Sequence, residues 1–165
     1  MKNVKRNREC EKHELQGYVT QRVNFLDENS NNREELFESI SHKLMDLGYV
    51  KSSYQVALNS REDEFPTGLI TKFLPIALPH ADPENVNKAF IAVARNNQEI
   101  PMLQMGSNEE MRTKYFFFLG ITDSSHQVIL LQKFMQLLQD KEFVDKLVSA
   151  NSVDEVYSLL DEYFD

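Results

Sequence analysis

Apolar residues recur at helical spacing over residues 33–47, where Leu36, Phe37, Ile40, Leu44 and Leu47 fall on one stripe. Glu34 and Glu35 stand in the first turn and Gly48 takes the stop position, so the pattern predicts a helix ending there. A second helix is predicted from Ser53 to Glu64, capped by Ser52 or Ser53 and prevented from continuing by Pro66. Ahead of both, Tyr18 to Leu26 alternates in part, with Val23 and Phe25 on one side and Arg22 and Asn24 on the other. That suits a first strand, and Asp27 to Asn32 then reads as a polar turn.

Four prolines (Pro66, Pro75, Pro79 and Pro83) interrupt the middle of the chain and forbid regular helix there. Ile76-Ala77-Leu78 fits a short strand closed by Pro79, and Ala89 to Ala94 fits an interior strand. Ile100 to Met105 is expected at a sheet edge, because Pro101 would spoil a central ladder. Tyr115-Phe116-Phe117-Phe118-Leu119 has no charged residue on either face, so it belongs mid-sheet with helices in front and behind. Asp123-Ser124-Ser125 then offers an N-cap for a helix over His126 to Leu138, with Val128, Leu131, Met135 and Leu138 as its apolar set and Ile129, Leu130, Phe134 and Leu137 flanking it. Asp140 to Val148 makes a short helix, and Ser152-Val153-Asp154-Glu155 is a capping box opening a last one through Phe164. The expected fold class is α/β: a single domain with a mixed β-sheet sandwiched by helices on both faces.

Length and composition narrow the picture. At 165 residues and 41% hydrophobic the chain suits one domain, with residues 1–16 as a disordered basic extension and 17–165 as the folded body. The longest apolar run, Tyr115 to Ile121, is far short of the roughly 20 residues of a membrane helix, and residues 1–16 are too polar for a secretory signal; a cytoplasmic location is expected. The net charge of −8 divides into +3 over residues 1–12 and −11 over the remainder, an acidic body unsuited to a phosphate backbone, so no nucleic-acid partner is expected. The single cysteine, Cys10, rules out an intrachain disulfide and a cysteine-based zinc site.

Candidate chemistry converges on histidine. The five glycines are isolated, so no P-loop or dinucleotide fingerprint exists, and no G-x-S-x-G elbow is present. Of the four histidines, His13 lies in the extension and His42 on the polar side of the first long helix. His80 and His126 each follow an apolar strand, where α/β folds place their ligands. Pro79 stiffens the turn that carries His80. A purely structural His80 would be a turn histidine whose second nitrogen merely meets a backbone carbonyl, and a purely structural His126 would pack near the helix cap. Arg61, amid three acids, reads either as a solvated helix residue or as a fork for a phosphoryl group. A two-histidine, one-carboxylate metal site on His80, Asp82 and His126 is the competing constellation, though no H-E-x-x-H spacing accompanies it.

The run Arg61-Glu62-Asp63-Glu64-Phe65-Pro66-Thr67-Gly68-Leu69, followed by Ile76-Ala77-Leu78-Pro79-His80, resembles the enzyme IIA component of the phosphoenolpyruvate-dependent sugar phosphotransferase system, of the fructose/mannitol type. The Glu-Phe-Pro-Thr-Gly stretch resembles the galactitol-like branch, and the likeness runs from about Tyr18 to Phe164. The resemblance implies a phosphotransferase component in which His80 accepts a phosphoryl group from the phosphocarrier protein HPr and passes it to a cysteine of a IIB partner, itself linked to a membrane IIC. It implies His126 as the second histidine near the acceptor and Arg61 as the group that steadies the phosphoryl. It calls for no cofactor, no metal and no membrane insertion. The alternative implied is a phosphorylation-controlled regulatory module that binds a kinase or transcription factor. On either reading, transfer between proteins leads us to expect His80 in a shallow exposed depression, rimmed by Phe73, Leu74 and Leu78.

Overall fold

The computed structural model describes residues 17–19 and 23–164. The proposed extension, with His13 and Cys10, lies outside them. Five strands, β1 (Phe25–Glu28), β2 (Gly68–Ile70), β3 (Pro75–Ala77), β4 (Phe90–Leu103) and β5 (Glu110–Gly120), form one sheet in the order β1-β4-β5-β3-β2. Pairings of β1 with β4 and of β3 with β5 are parallel, while β2 with β3 and β4 with β5 are antiparallel, so the sheet is mixed. Helices α1 (Arg33–Asp46) and α2 (Tyr54–Glu64) cover one face; α3 (His126–Leu137), α4 (Lys141–Ser149) and α5 (Val153–Phe164) cover the other. The expected α/β class and two-sided burial are what the chain adopts.

The period of two along β5 explains that burial. Phe116 and Phe118 point to α1 and α2, whereas Phe117 and Leu119 point to α3–α5, and all four are fully buried. Each buried phenylalanine contributes about 1.5–3 kcal/mol relative to exposure. Ala77, Ala92 and Ala94 lie with Phe116 and Phe118 on the α1/α2 face, where small residues make room for the rings and for Phe37. Phe37 meets Phe118 edge to face with centroids 5.5 Å apart. Helix starts follow the cap chemistry: Asn32 Oδ1 accepts from Glu35 N–H at 2.9 Å, Asp140 Oδ1 accepts from Glu142 N–H at 3.0 Å, and Ser152 Oγ accepts from Glu155 N–H at 3.2 Å.

Several sequence expectations are corrected. The first regular strand is Phe25–Glu28, later than Tyr18–Leu26. Its end is acidic because the buried Glu28 carboxylate is bound by Lys43 Nζ and by Ser39 Oγ, both from α1, a tertiary partnership that hides the strand from a hydropathy pattern. Residues 20–22 of that expected strand lie outside the described residues. Ile100–Met105 is not a separate edge strand: residues through Leu103 continue β4 after a register shift that sets residues 96–99 opposite Lys114 alone. Gln104 N–H reaches Glu109 O at 2.8 Å, so by alternation Pro101 turns its donor-less nitrogen away from β5. On α3 the buried stripe is Leu130, Phe134 and Leu137, while Val128 and Met135 are exposed; the helix is rotated from the face expected. Leu47 is exposed as the C-cap of α1, and Ser53 gives no side-chain cap to α2, its hydroxyl donating instead to Asn85 Oδ1 at 2.8 Å.

Two glycines are required by close approach. A Cβ on Gly120 would stand 2.1 Å from the Phe90 ring, and one on Gly68 would stand 2.5 Å from the Leu103 carbonyl oxygen. Gly68 also receives Met105 N–H on its carbonyl at 2.7 Å, so the far end of the β4–β5 hairpin touches the start of β2.

Candidate active site

Strands β3 and β5 run side by side in the same direction, and the chain leaves both at their carboxyl ends. The exit from β3 is Leu78-Pro79-His80. Leu119 N–H donates to Pro79 O at 2.9 Å, and His80 bridges to Leu119, so the histidine is seated against the end of β5. His80 Nδ1–H donates to the Leu78 carbonyl at 2.7 Å. That bond places the proton on Nδ1 and the lone pair on Nε2. Nε2 is buried and has no hydrogen-bond partner.

Burial pushes the His80 pKa below the usual histidine value, and the Arg61 charge adds to the depression; the Leu78 hydrogen bond and Asp82 oppose it. The net effect is a neutral imidazole at neutral pH. The expected exposed position is corrected: His80 is 4% exposed. Leu78, expected at a docking rim, is likewise buried, and Phe73 and Leu74 are partly buried against the α3–α5 core. Leu78 follows a strand whose neighbours are covered on both faces, which turns its side chain into the core.

Arg61 sits in the last turn of α2. Its Nη1 donates to Asp82 Oδ1 at 3.1 Å, its guanidinium lies 5.5 Å from the Phe65 ring centroid, and its Nε is buried without a partner. Arg61, Asp82 and His80 are therefore drawn together from α2 and the β3 exit. His126, half-buried at the first turn of α3, bonds through Nδ1 to the Tyr18 hydroxyl at 2.8 Å, with the two rings edge to face at 5.8 Å. Beside it, Asp123 accepts from Ser125 N–H at 3.0 Å and Ser125 Oγ at 2.8 Å, and these bonds, chiefly the backbone one, hold its carboxyl below the ordinary range. Among the described residues no three His, Cys, Asp or Glu side chains converge as ligands would, so His80, Asp82 and His126 do not form the metal constellation. His42 is exposed on α1. Tyr18 was not legible as a site residue: it lies 108 positions from His126, and no local pattern links them.

The family model for the phosphoenolpyruvate-dependent sugar phosphotransferase system, EIIA 2, matches residues 18–163. The chain belongs to this family. As an EIIA 2 protein it is a phosphocarrier component of sugar phosphotransfer. It is 24% identical over 147 residues to the galactitol-specific EIIA component of Escherichia coli strain K12, covering 89% of this chain and 91% of that protein. It is 27% identical over 137 residues to the transcriptional regulator ManR of Bacillus subtilis, covering 83% of this chain and 20% of the regulator. Its fold matches the enzyme IIA in a complex of mannitol IIA and phosphorylated mannitol IIB from Escherichia coli, with a TM-score of 0.70, 22% identity, and coverage of 87% of this chain and 97% of that one. Among the described residues, no helix of this EIIA 2 chain is long and apolar enough to cross a membrane.

Proposed function

We propose that this protein receives a phosphoryl group on His80 Nε2 from phosphorylated HPr and passes it to the acceptor cysteine of a IIB partner linked to a membrane IIC, in the cytoplasm, during uptake of a galactitol-like sugar. The carrying observation is the bare Nε2: a neutral imidazole with Nδ1–H held by Leu78 O and a lone pair engaged by nothing. In the first transfer that lone pair forms a P–N bond as the donor's P–N bond breaks, and the electron pair returns to the donor imidazole. In the second, a IIB thiolate forms an S–P bond as the His80 P–N bond breaks. Such exchanges depend on alignment and on neutralising the phosphoryl oxygens rather than on covalent help.

Arg61 supplies the neutralisation on this reading. Its unpartnered Nε–H is a ready donor, and its Nη1 exchanges Asp82 for a phosphoryl oxygen. His126, fixed by Tyr18, is the second imidazole at the neighbouring strand exit. Because His80 is 4% exposed, loading requires a local opening as the donor docks. The acidic body offers charge complementarity to a basic face on that donor. The galactitol class rests on the galactitol-specific relative, and the IIB partner on the mannitol IIA–IIB complex.

A regulatory role is the second reading, favoured by the likeness to ManR. Incubation with phosphoenolpyruvate, the general phosphotransferase proteins and a galactitol-type IIB separates the two. Acid-labile phosphate on His80 that moves on to IIB supports the carrier; label that stays on the protein with every IIB offered supports the regulator. Label that persists in His80→Ala would refute the assignment of the acceptor.

A further inference from the structure

Between α2 and β2 the chain turns through Phe65, Pro66 and Thr67, and the turn is fastened from inside by Glu62. Glu62 is 3% exposed, and Thr67 is 2% exposed. Glu62 Oε1 accepts Thr67 N–H at 2.9 Å, and the Thr67 hydroxyl donates to the same carboxylate, 3.1 Å from Oε1 and 2.9 Å from Oε2. Burial raises the Glu62 carboxyl pKa and the two bonds from Thr67 oppose the rise. A buried carboxylate is costly unless its bonds are well made, and here both converge on one threonine.

The bonds continue to the histidine. Thr67 O accepts Leu78 N–H at 3.3 Å, and Leu78 O accepts His80 Nδ1–H at 2.7 Å. On the opposite side Pro79 O is held by Leu119 N–H at 2.9 Å. The backbone that presents the Leu78 carbonyl to His80 is thus held on one side by the bridge to Leu119 of β5 and on the other by the Thr67 turn, which extends the β2–β3 pairing by one residue. We propose that Glu62, acting through Thr67, is a positioning residue that keeps His80 in the Nδ1–H tautomer with Nε2 free to take a phosphoryl group. This rests on the reading of His80 as acceptor and adds the device that prepares it. The preceding residue, Arg61, reaches Asp82, so one turn of α2 secures both flanks of His80.

The test uses the full chain with ¹⁵N-labelled histidine. Imidazole nitrogen NMR reads the His80 tautomer, and phosphoryl acceptance from phosphorylated HPr is resolved into kcat and KM. Wild type is expected in the Nδ1–H form. In Glu62→Ala an Nε2–H population appears and kcat falls about tenfold with KM for the donor unchanged. Thr67→Val moves both readouts in the same direction by less, and Thr67→Ser restores them. Glu28→Gln, at the far edge of the sheet, changes neither. Wild-type tautomer and kcat in Glu62→Ala and Thr67→Val overturn the proposal; should Glu62→Ala fail to fold, the Thr67 pair decides by the same two readouts. Phosphate found on another residue would sink the acceptor reading, while the tautomer would still report whether Glu62 positions His80.

Discussion

His80 and His126 follow adjacent parallel strands at the same end of the sheet, yet their Nδ1 atoms are held in different ways. His80 is tied to its own backbone two residues back, inside a turn stiffened by Pro79 and sealed from water. His126 is tied to the phenol of Tyr18, 108 positions away, and stays half-buried. A main-chain carbonyl can only accept, so it dictates which His80 nitrogen carries the proton. A phenol both donates and accepts, so it fixes the His126 ring without dictating its tautomer. The geometry suits a nucleophile at one exit and an adaptable helper at the other.

The largest expected effect separates them outright. His80→Ala abolishes acid-labile phosphate, whereas His126→Ala leaves His80 labelled and slows delivery to IIB; mapping the label and following its loss measures both. Next comes Arg61→Ala, expected to reduce acceptance by about 10²-fold, the scale of losing one charge-stabilising donor. Since the Arg61 charge lowers the His80 pKa, its removal raises that pKa in an NMR titration. An unchanged titration would detach Arg61 from the site.

The third expectation concerns pH. The folded pKa of His80 lies below 6.5, so between the two values the unfolded chain binds more protons than the native one. This contribution to stability is fully present above about pH 6.5 and is lost as pH falls through the folded pKa. Denaturant titrations of wild type and His80→Gln across that window test the sign: wild type loses stability on acidification more steeply. The smallest effect belongs to Tyr18→Phe, which keeps the ring packing and removes the bond to His126. Acceptance at His80 stays at the wild-type rate, delivery to IIB slows by less than about tenfold, and stability drops by about 1 kcal/mol.

The contrast also marks what the sequence made legible. The β3 exit is written locally: Leu78-Pro79-His80 contains the strand end, the rigid turn and the bonded carbonyl, and Arg61 lies in the same recognisable stretch. The layered fold was legible because Phe116 to Leu119 are apolar on both faces and the helical stripe of α1 is strong. Long-range pairings were not. Tyr18 reaches His126 and Lys43 neutralises Glu28 only once helices and sheet have been assembled. The burial of His80 escaped for the same reason: it depends on what packs over a strand exit, which no short window of residues encodes.

The β4 irregularity at residues 96–99 reaches beyond its own hairpin. Beyond it, Gln104 and Met105 lie against Gly68, where a bridge and a 2.7 Å bond join the hairpin to β2. A sheet whose outermost strand begins under such a strap offers a stranger only a short stretch near Ile70 for zipping up side by side. A methyl group added at Gly68, 2.5 Å from the Leu103 carbonyl oxygen, would prise the strap loose and leave more of β2 open to a stranger.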